Sequence, residues 1–233
     1  MIKMIVKKTL AITLSLVMVF SGMAVALPFI ELPKAKAASD ENLNEFDISE
    51  GAVIISKGSI EGTIKVTYGS GSESEKDNIS EKTWVTIFSD DANTAVTNSI
   101  TVASGVSANI KLKNVNIDVS ETKWATAFKI EDNSTGDVTI DLEGNNVLKS
   151  GPSKAGLQKN GAYPDNLGKL EIKSSSGTGS LTATGGSFGA GIGSQHGWNT
   201  GKIYISGGRV TATEGILATE SAADIMVQEV KFI

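Results

Sequence analysis

The sequence predicts an all-β chain that coils and stacks on itself, a parallel β-solenoid, and three observations predict it. A three-part unit recurs at nearly constant length through the second half of the chain. Glycine is abundant at 25 of 233 residues while proline stands at 4, a balance that suits tight turns between strands rather than an unstructured linker. Apolar residues alternate with polar or β-branched ones, the period-2 pattern of half-buried strands. No convincing amphipathic helix appears after the first segment, the best candidate being short and poor at residues 215–226.

The first segment stands apart from this pattern. Lys3, Lys7 and Lys8 form a positive start, an apolar run extends from residue 9 to about residue 29, and Ala35-Lys36-Ala37 is a small-x-small site. Residues 1–37 therefore read as a cleaved secretory signal peptide, with Ala38 as the mature start. Two alternatives stay open, cleavage after Ala26 and an uncut membrane anchor, since the run is nearly long enough to span a bilayer. Contact with a membrane is expected only through this segment, if it stays uncut. The expected location is secreted or extracellular, with or without association to the cell surface. The chain has no cysteine, which excludes disulfides, thiolate metal sites and a lipidated cysteine.

The 21 basic and 26 acidic residues of the chain divide unevenly. Removing the five basic and one acidic residue of the leader leaves 16 against 25, a net charge of −9. That balance argues against nucleic acid, which is held by basic patches.

Residues 38–45 are polar and read as a loose tail. Residues 46–104 read as the N-terminal part, or cap, of the solenoid, with strands at 52–56, 63–68 and 84–88 and a loop over 69–77. Residues 105–233 carry the clear repeats. Four segments begin alike, at Ile110, Val138, Leu170 and Ile203, spaced by 28, 32 and 33 residues. Each continues through a turn into a second strand and then a small-residue element, as in Ala125–Thr–Ala–Phe128, Ala155-Gly-Leu157 and Gly189-Ala-Gly-Ile-Gly193. Stacked coils predict interior columns Ile110–Val138–Leu170–Ile203 and Leu112–Ile140–Ile172–Ile205. Lys111, Thr139, Glu171 and Tyr204 then point outward.

The run Gly179-Ser-Leu-Thr-Ala-Thr-Gly-Gly-Ser-Phe-Gly-Ala-Gly-Ile-Gly193, the run Ile205-Ser-Gly-Gly-Arg-Val-Thr-Ala-Thr213 and Asp141-Leu-Glu-Gly-Asn-Asn-Val-Leu148 carry a resemblance. They resemble the repeats of bacterial secreted and cell-surface β-helix proteins, a group that includes a carbohydrate-binding domain family with a pectate-lyase-like fold. The resemblance covers roughly residues 105–218. It implies a right-handed parallel β-helix, and in some members calcium sites and polysaccharide binding. The sequence departs from it after Thr213, where Glu214-Gly-Ile-Leu-Ala replaces the glycine-rich run. The chain ends on Val230-Lys-Phe-Ile233, an apolar edge with potential for self-association.

Several side chains are candidates for chemistry. Gln195, His196, Trp198 and Asn199 form an insertion between repeats, and an exposed Trp flanked by amides suits a sugar ring. The same loop also reads as a plain turn with its Trp folded over the coil edge. Glu131, Asp132, Asp137, Asp141, Glu143 and Glu171 are candidate calcium ligands, since Ca²⁺ takes several oxygen donors, or are solvated acidic groups. Lys113 and Lys173 are expected to flank Asp141 across coils, as a charge ladder. A lyase needs a base such as Arg209, the single arginine, or one of Lys111, Lys113 and Lys173. Trp84 and Trp124 read as packing residues. The leading expectation is a polysaccharide- or cell-wall-glycan-binding module. A structural, adhesin-like surface repeat comes second and a calcium-dependent polysaccharide lyase third.

Overall fold

The computed structural model describes residues 44–69, 74–161 and 167–215. The expected signal peptide, nearly all of the expected tail and the apolar C-terminal edge lie outside the described residues.

The described chain is a parallel β-solenoid, as the repetition predicts. Strands β1 (Glu45–Asp47) and β2 (Ala52–Lys57) open it, joined through a single 3-10 turn at Ile48–Glu50. Strands β3 (Thr63–Gly69) and β4 (Ser74–Ser80) leave the coil as a hairpin, and β5 (Trp84–Phe88) and β6 (Ile100–Val102) return to it. A first full coil follows in β7 (Ala108–Lys113), β8 (Asn116–Asp118) and β9 (Phe128–Ile130). A second comprises β10 (Val138–Glu143), β11 (Asn145–Lys149) and β12 (Leu157–Lys159). A third comprises β13 (Leu170–Lys173), β14 (Ser180–Thr184) and β15 (Ile192–Gly193), after which β16 (Ile203–Ile205) and β17 (Arg209–Thr213) begin another.

Three sheets result. The first has the order β1-β5-β7-β10-β13-β16, the second β8-β11-β14-β17, and the third β15-β12-β9-β6-β2-β3-β4. Among the described strands every pairing is parallel except those of β2 with β3 and β3 with β4. No described helix is long and apolar enough to cross a membrane.

The interior columns differ from the expected ones by two residues in one strand. Ala108, not Ile110, stands opposite Val138, and Ile110 stands opposite Ile140. One interior column of the first sheet is therefore Val85–Ile110–Ile140–Ile172–Ile205. The first repeat step is 30 residues, from Ala108 to Val138. A shift of two keeps every side chain on its own face, so hydrophobic alternation does not detect it. The shift does change the outer neighbours. Lys111, not Lys113, stands opposite Asp141, and Asn109, not Lys111, stands opposite Thr139. Val85, Ile110, Ile140 and Ile172 are all fully buried.

The expected loop over residues 69–77 is also corrected, because β4 begins at Ser74. β4 forms the outer edge of the third sheet, and only Ile79 of its seven residues is buried. An edge strand with charged side chains resists pairing with other chains, and the same charges hide its strand character from a hydrophobicity reading.

Polar side chains close the turns where apolar ones cannot. Asn146 points inward at the level where later coils carry Leu181 and Val210. Its Oδ1 accepts from the Val115 amide at 2.9 Å, and its Nδ2 donates to the carbonyls of Glu143 at 3.2 Å and Ser180 at 3.0 Å. All of its hydrogen-bonding atoms are thereby used inside the core. In the hairpin, Asp77 accepts from the Ser59 amide and hydroxyl and from the Asn78 amide. These bonds, the Ser59 hydroxyl first, hold its carboxyl below the usual carboxylate range.

Two predictions follow from the stack and the hairpin. Ile140→Ala should lower the urea unfolding free energy by about 2–5 kcal/mol, while Thr139→Ala on the opposite face should change it by less than about 0.5 kcal/mol. The Asp77 carboxyl has a lowered folded pKa, so its contribution is complete above the unfolded value, about 3.9, and is lost as pH falls through the folded one. Protection of the Ser59 and Asn78 amides, taken relative to their intrinsic exchange rates, should thus fall on acidification below about pH 4, and Asp77→Asn should remove that dependence.

Candidate functional site

The corner between the second and third sheets is built from the same turn three times. Each turn closes with a backbone bond across four residues, Ala125 N to Thr122 O at 3.1 Å, Lys154 N to Gly151 O at 3.1 Å and Gly189 N to Gly186 O at 2.8 Å. The third residue of each turn, Trp124, Ser153 and Phe188, has φ +66°. A positive φ at that position is the signature of a type II turn, where glycine or asparagine is the usual occupant. Successive turns are tied by bonds from Gly151 N to Ala125 O at 2.9 Å, Gly186 N to Lys154 O at 2.9 Å and Gly215 N to Gly189 O at 3.1 Å. A Cβ on Gly151, Gly186 or Gly215 would fall onto the carbonyl oxygen of Thr122, Gly151 or Gly186. The turns therefore stack as closely as bare backbone permits, and the residues on their crests are fixed one per coil.

Two of those three crest residues are aromatic and open to solvent. Trp124 is 58% exposed and Phe188 38%. The Lys123 ammonium lies 5.3 Å from the centre of the Trp124 ring. Trp124 is thus not the packing residue the sequence suggests. Trp84 also lies outside the core, half-buried on the outer face of the first sheet with the Lys173 ammonium 5.3 Å from its ring.

The insertion after β15 folds against this corner. The His196 amide donates to the Ser153 carbonyl at 3.1 Å, and the His196 ring lies 5.2 Å from the Phe188 ring at a tilt of 46°. The Gln195 amide donates to Asn160 Oδ1 at 3.0 Å, and the Trp198 amide donates back to the Gln195 carbonyl at 3.2 Å. Asn199 contributes its carbonyl to the Gly161 amide at 2.7 Å. The Gln195 side chain turns inward. Its Oε1 accepts from the Lys154 ammonium and, at 3.5 Å, from Nε2 of the fully buried Gln158. Burial, then repulsion from Lys129, lowers the pKa of Lys154, against the opposing pull of Asp132 and Glu131. Of the four side chains picked out in this loop, His196, Asn199 and Trp198, the last 41% exposed, face solvent, while Gln195 latches the loop.

The six acidic candidates are distributed differently. Glu131 pairs with Lys129 at 2.7 Å, and Asp132 accepts from Asn160 Nδ2 at 2.8 Å. Asp137 accepts from the Lys169 amide at 2.9 Å, and Asp141, 7% exposed, from the Ser175 amide at 2.7 Å. Glu143 lies 3.5 Å from both Lys111 and Lys113. Glu171 pairs with Lys169 at 3.3 Å and accepts from the Ser206 hydroxyl at 3.1 Å. Among the described residues no group of three or more histidine, aspartate or glutamate side chains is placed to hold a metal ion. Each of the six carboxylates binds a lysine, a hydroxyl or an amide.

The bases considered for a lyase are likewise dispersed. Lys111 and Lys113 bind Glu143, Lys173 faces Trp84 on the first sheet, and exposed Arg209 stands opposite Ser180 on the second sheet.

Trp124 and Phe188 are the residues that sequence reasoning missed at this corner. A signal for them exists, since each lies four positions before the first residue of its third-sheet strand, Phe128 and Ile192, as Ser153 does before Leu157. Compared with models of known families, with curated proteins and with solved structures, the chain shows no significant match. The fold and corner therefore define its class directly, a parallel β-solenoid with an exposed aromatic crest.

The latch leads to a local prediction. Gln195→Ala removes an acceptor shared by Lys154 and Gln158, a loss of about 1 kcal/mol, so amide exchange over residues 194–200 should speed up about fivefold. Asn199→Ala, which alters only a solvent-facing side chain, should leave exchange in the loop unchanged.

Proposed function

We propose that this solenoid is a secreted or cell-surface module that binds polysaccharide through the loop 194–200 and the corner beside it. The observation that carries the reading is the set of solvent-facing rings of this corner and its loop, Phe188 beside His196 and, two residues on, Trp198, with the Phe188 turn and the His196 amide tied to a neighbouring coil. Pyranose rings present C–H groups to aromatic faces, and their hydroxyls seek amides and hydroxyls at the rim. Asn199 lies at that rim, and Gln195 keeps the loop in shape. Rigid backbone beneath the rings limits the entropy lost on binding. The net charge of −9 after the expected leader favours a neutral glycan over an acidic one. An adhesive surface repeat without glycan affinity is the rival reading.

The test is retention of residues 38–233 on a panel of soluble and insoluble polysaccharides, each with calcium and with chelator. Retention by one neutral polymer class is expected, and it should survive the chelator. Trp198→Ala should weaken it at least tenfold, about 1.4 kcal/mol, with the circular dichroism spectrum unchanged. A folded protein that no polymer retains would shift the assignment to the adhesive repeat.

A further inference from the structure

We infer that the glycan site extends along the solenoid axis to Trp124, which forms a second ring platform for an extended, unbranched, β-linked neutral polysaccharide. This rests on the polysaccharide reading above and adds a residue, a direction and a ligand shape to it.

The crest of a type II turn asks for a residue at ease with positive φ, and tryptophan and phenylalanine are not at ease there. Trp124 and Phe188 nonetheless occupy that site with φ +66°. Trp124 is not buried in return, being 58% exposed, and Phe188 keeps 38% of its surface open beside the His196 ring. Backbone strain beneath an exposed side chain is a mark of a functional position. The middle crest carries Ser153, a small polar residue.

Spacing then gives the ligand. Trp124 and Phe188 are two coil steps apart, and each step is about 4.8 Å, so the platforms repeat at roughly 10 Å along the axis. An extended chain of equatorially linked pyranoses advances by one ring length per sugar, which is of the order of one coil step. In such a chain alternate sugars present the same face to one side. Stacking on the first and third sugars, with the second above the Ser153 hydroxyl, fits this crest. A compact or helical α-linked chain does not keep successive faces in line along a straight row. The loop that carries His196 and Trp198 is pinned to Ser153 through the His196 amide, which places it beside the same row.

The test uses residues 38–233 with cello-oligosaccharides and chito-oligosaccharides of two to six sugars, and malto-oligosaccharides as the α-linked control. In titration calorimetry, one β-linked series should gain about tenfold in affinity between two and four or more sugars, and the α-linked series should not. Trp124→Asn replaces the ring with a residue suited to positive φ. It should abolish the gain with length and keep the melting temperature at or above that of the wild type. A merely structural Trp124 would instead lower the melting temperature and leave the length dependence intact, which overturns the inference. Binding that needs Trp198 but ignores both Trp124→Asn and linkage type also overturns it, while sparing the broader reading. Failure of every oligosaccharide to bind, with and without the substitutions, overturns both.

Discussion

The parallel backbone ladder between successive coils is the constraint on which the rest of the structure depends. Each strand hydrogen-bonds to its counterpart one coil away, so equivalent positions are brought into register and their side chains must suit one another. Inside, this produces the column from Val85 through Ile110, Ile140 and Ile172 to Ile205. Outside, it produces rows in which Lys111 and Lys173 flank Asp141. Stability in such a stack comes from contacts between neighbouring coils rather than from one central core. The same ladder meets the hydrogen-bonding needs of the strands in a chain that has no cysteine.

The corners follow from the ladder. Where the chain turns between sheets, peptide groups must still pair, and side chains do part of that work. Asn146 saturates its hydrogen-bonding atoms inside the core, and the Ser150 hydroxyl accepts from the buried Ala127 amide at 2.8 Å. At the corner between the second and third sheets, Gly151, Gly186 and Gly215 let one turn rest on the carbonyl of the turn before it. Close stacking there turns a local turn geometry into a row of presented side chains. The aromatic crest is therefore a product of the fold rather than an ornament on a loop.

The parts of this arrangement legible in the sequence are those that repeat. The recurring units starting near Val138, Leu170 and Ile203 gave the parallel stack and its correct register from β10 onward. The register of β7 was not legible, because its interior positions Ala108, Ile110 and Leu112 offer two equally apolar alignments two residues apart. β4 was hidden because an edge strand has no need of apolar alternation. The loop around Trp198 stands out as an insertion, but its anchoring depends on the Gln195 amide meeting the Asn160 side chain 35 residues earlier in sequence. Trp124 reads as packing in the sequence because it lies close to a strand. Its exposure is set by a turn whose sign of φ no hydrophobicity pattern carries. The acidic candidates look like a ligand set in sequence because one cannot see there that lysines and amides already hold them.

The central claim is that the corner between the second and third sheets, and not the charged outer face of the first, receives a glycan. A structure of residues 38–233 with a bound β-linked oligosaccharide tests it most directly. The account predicts sugar rings stacked on Trp124 and Phe188, with the chain running along the solenoid axis past Ser153. A sugar chain lying instead across Lys111, Asp141 and Lys173 would contradict it.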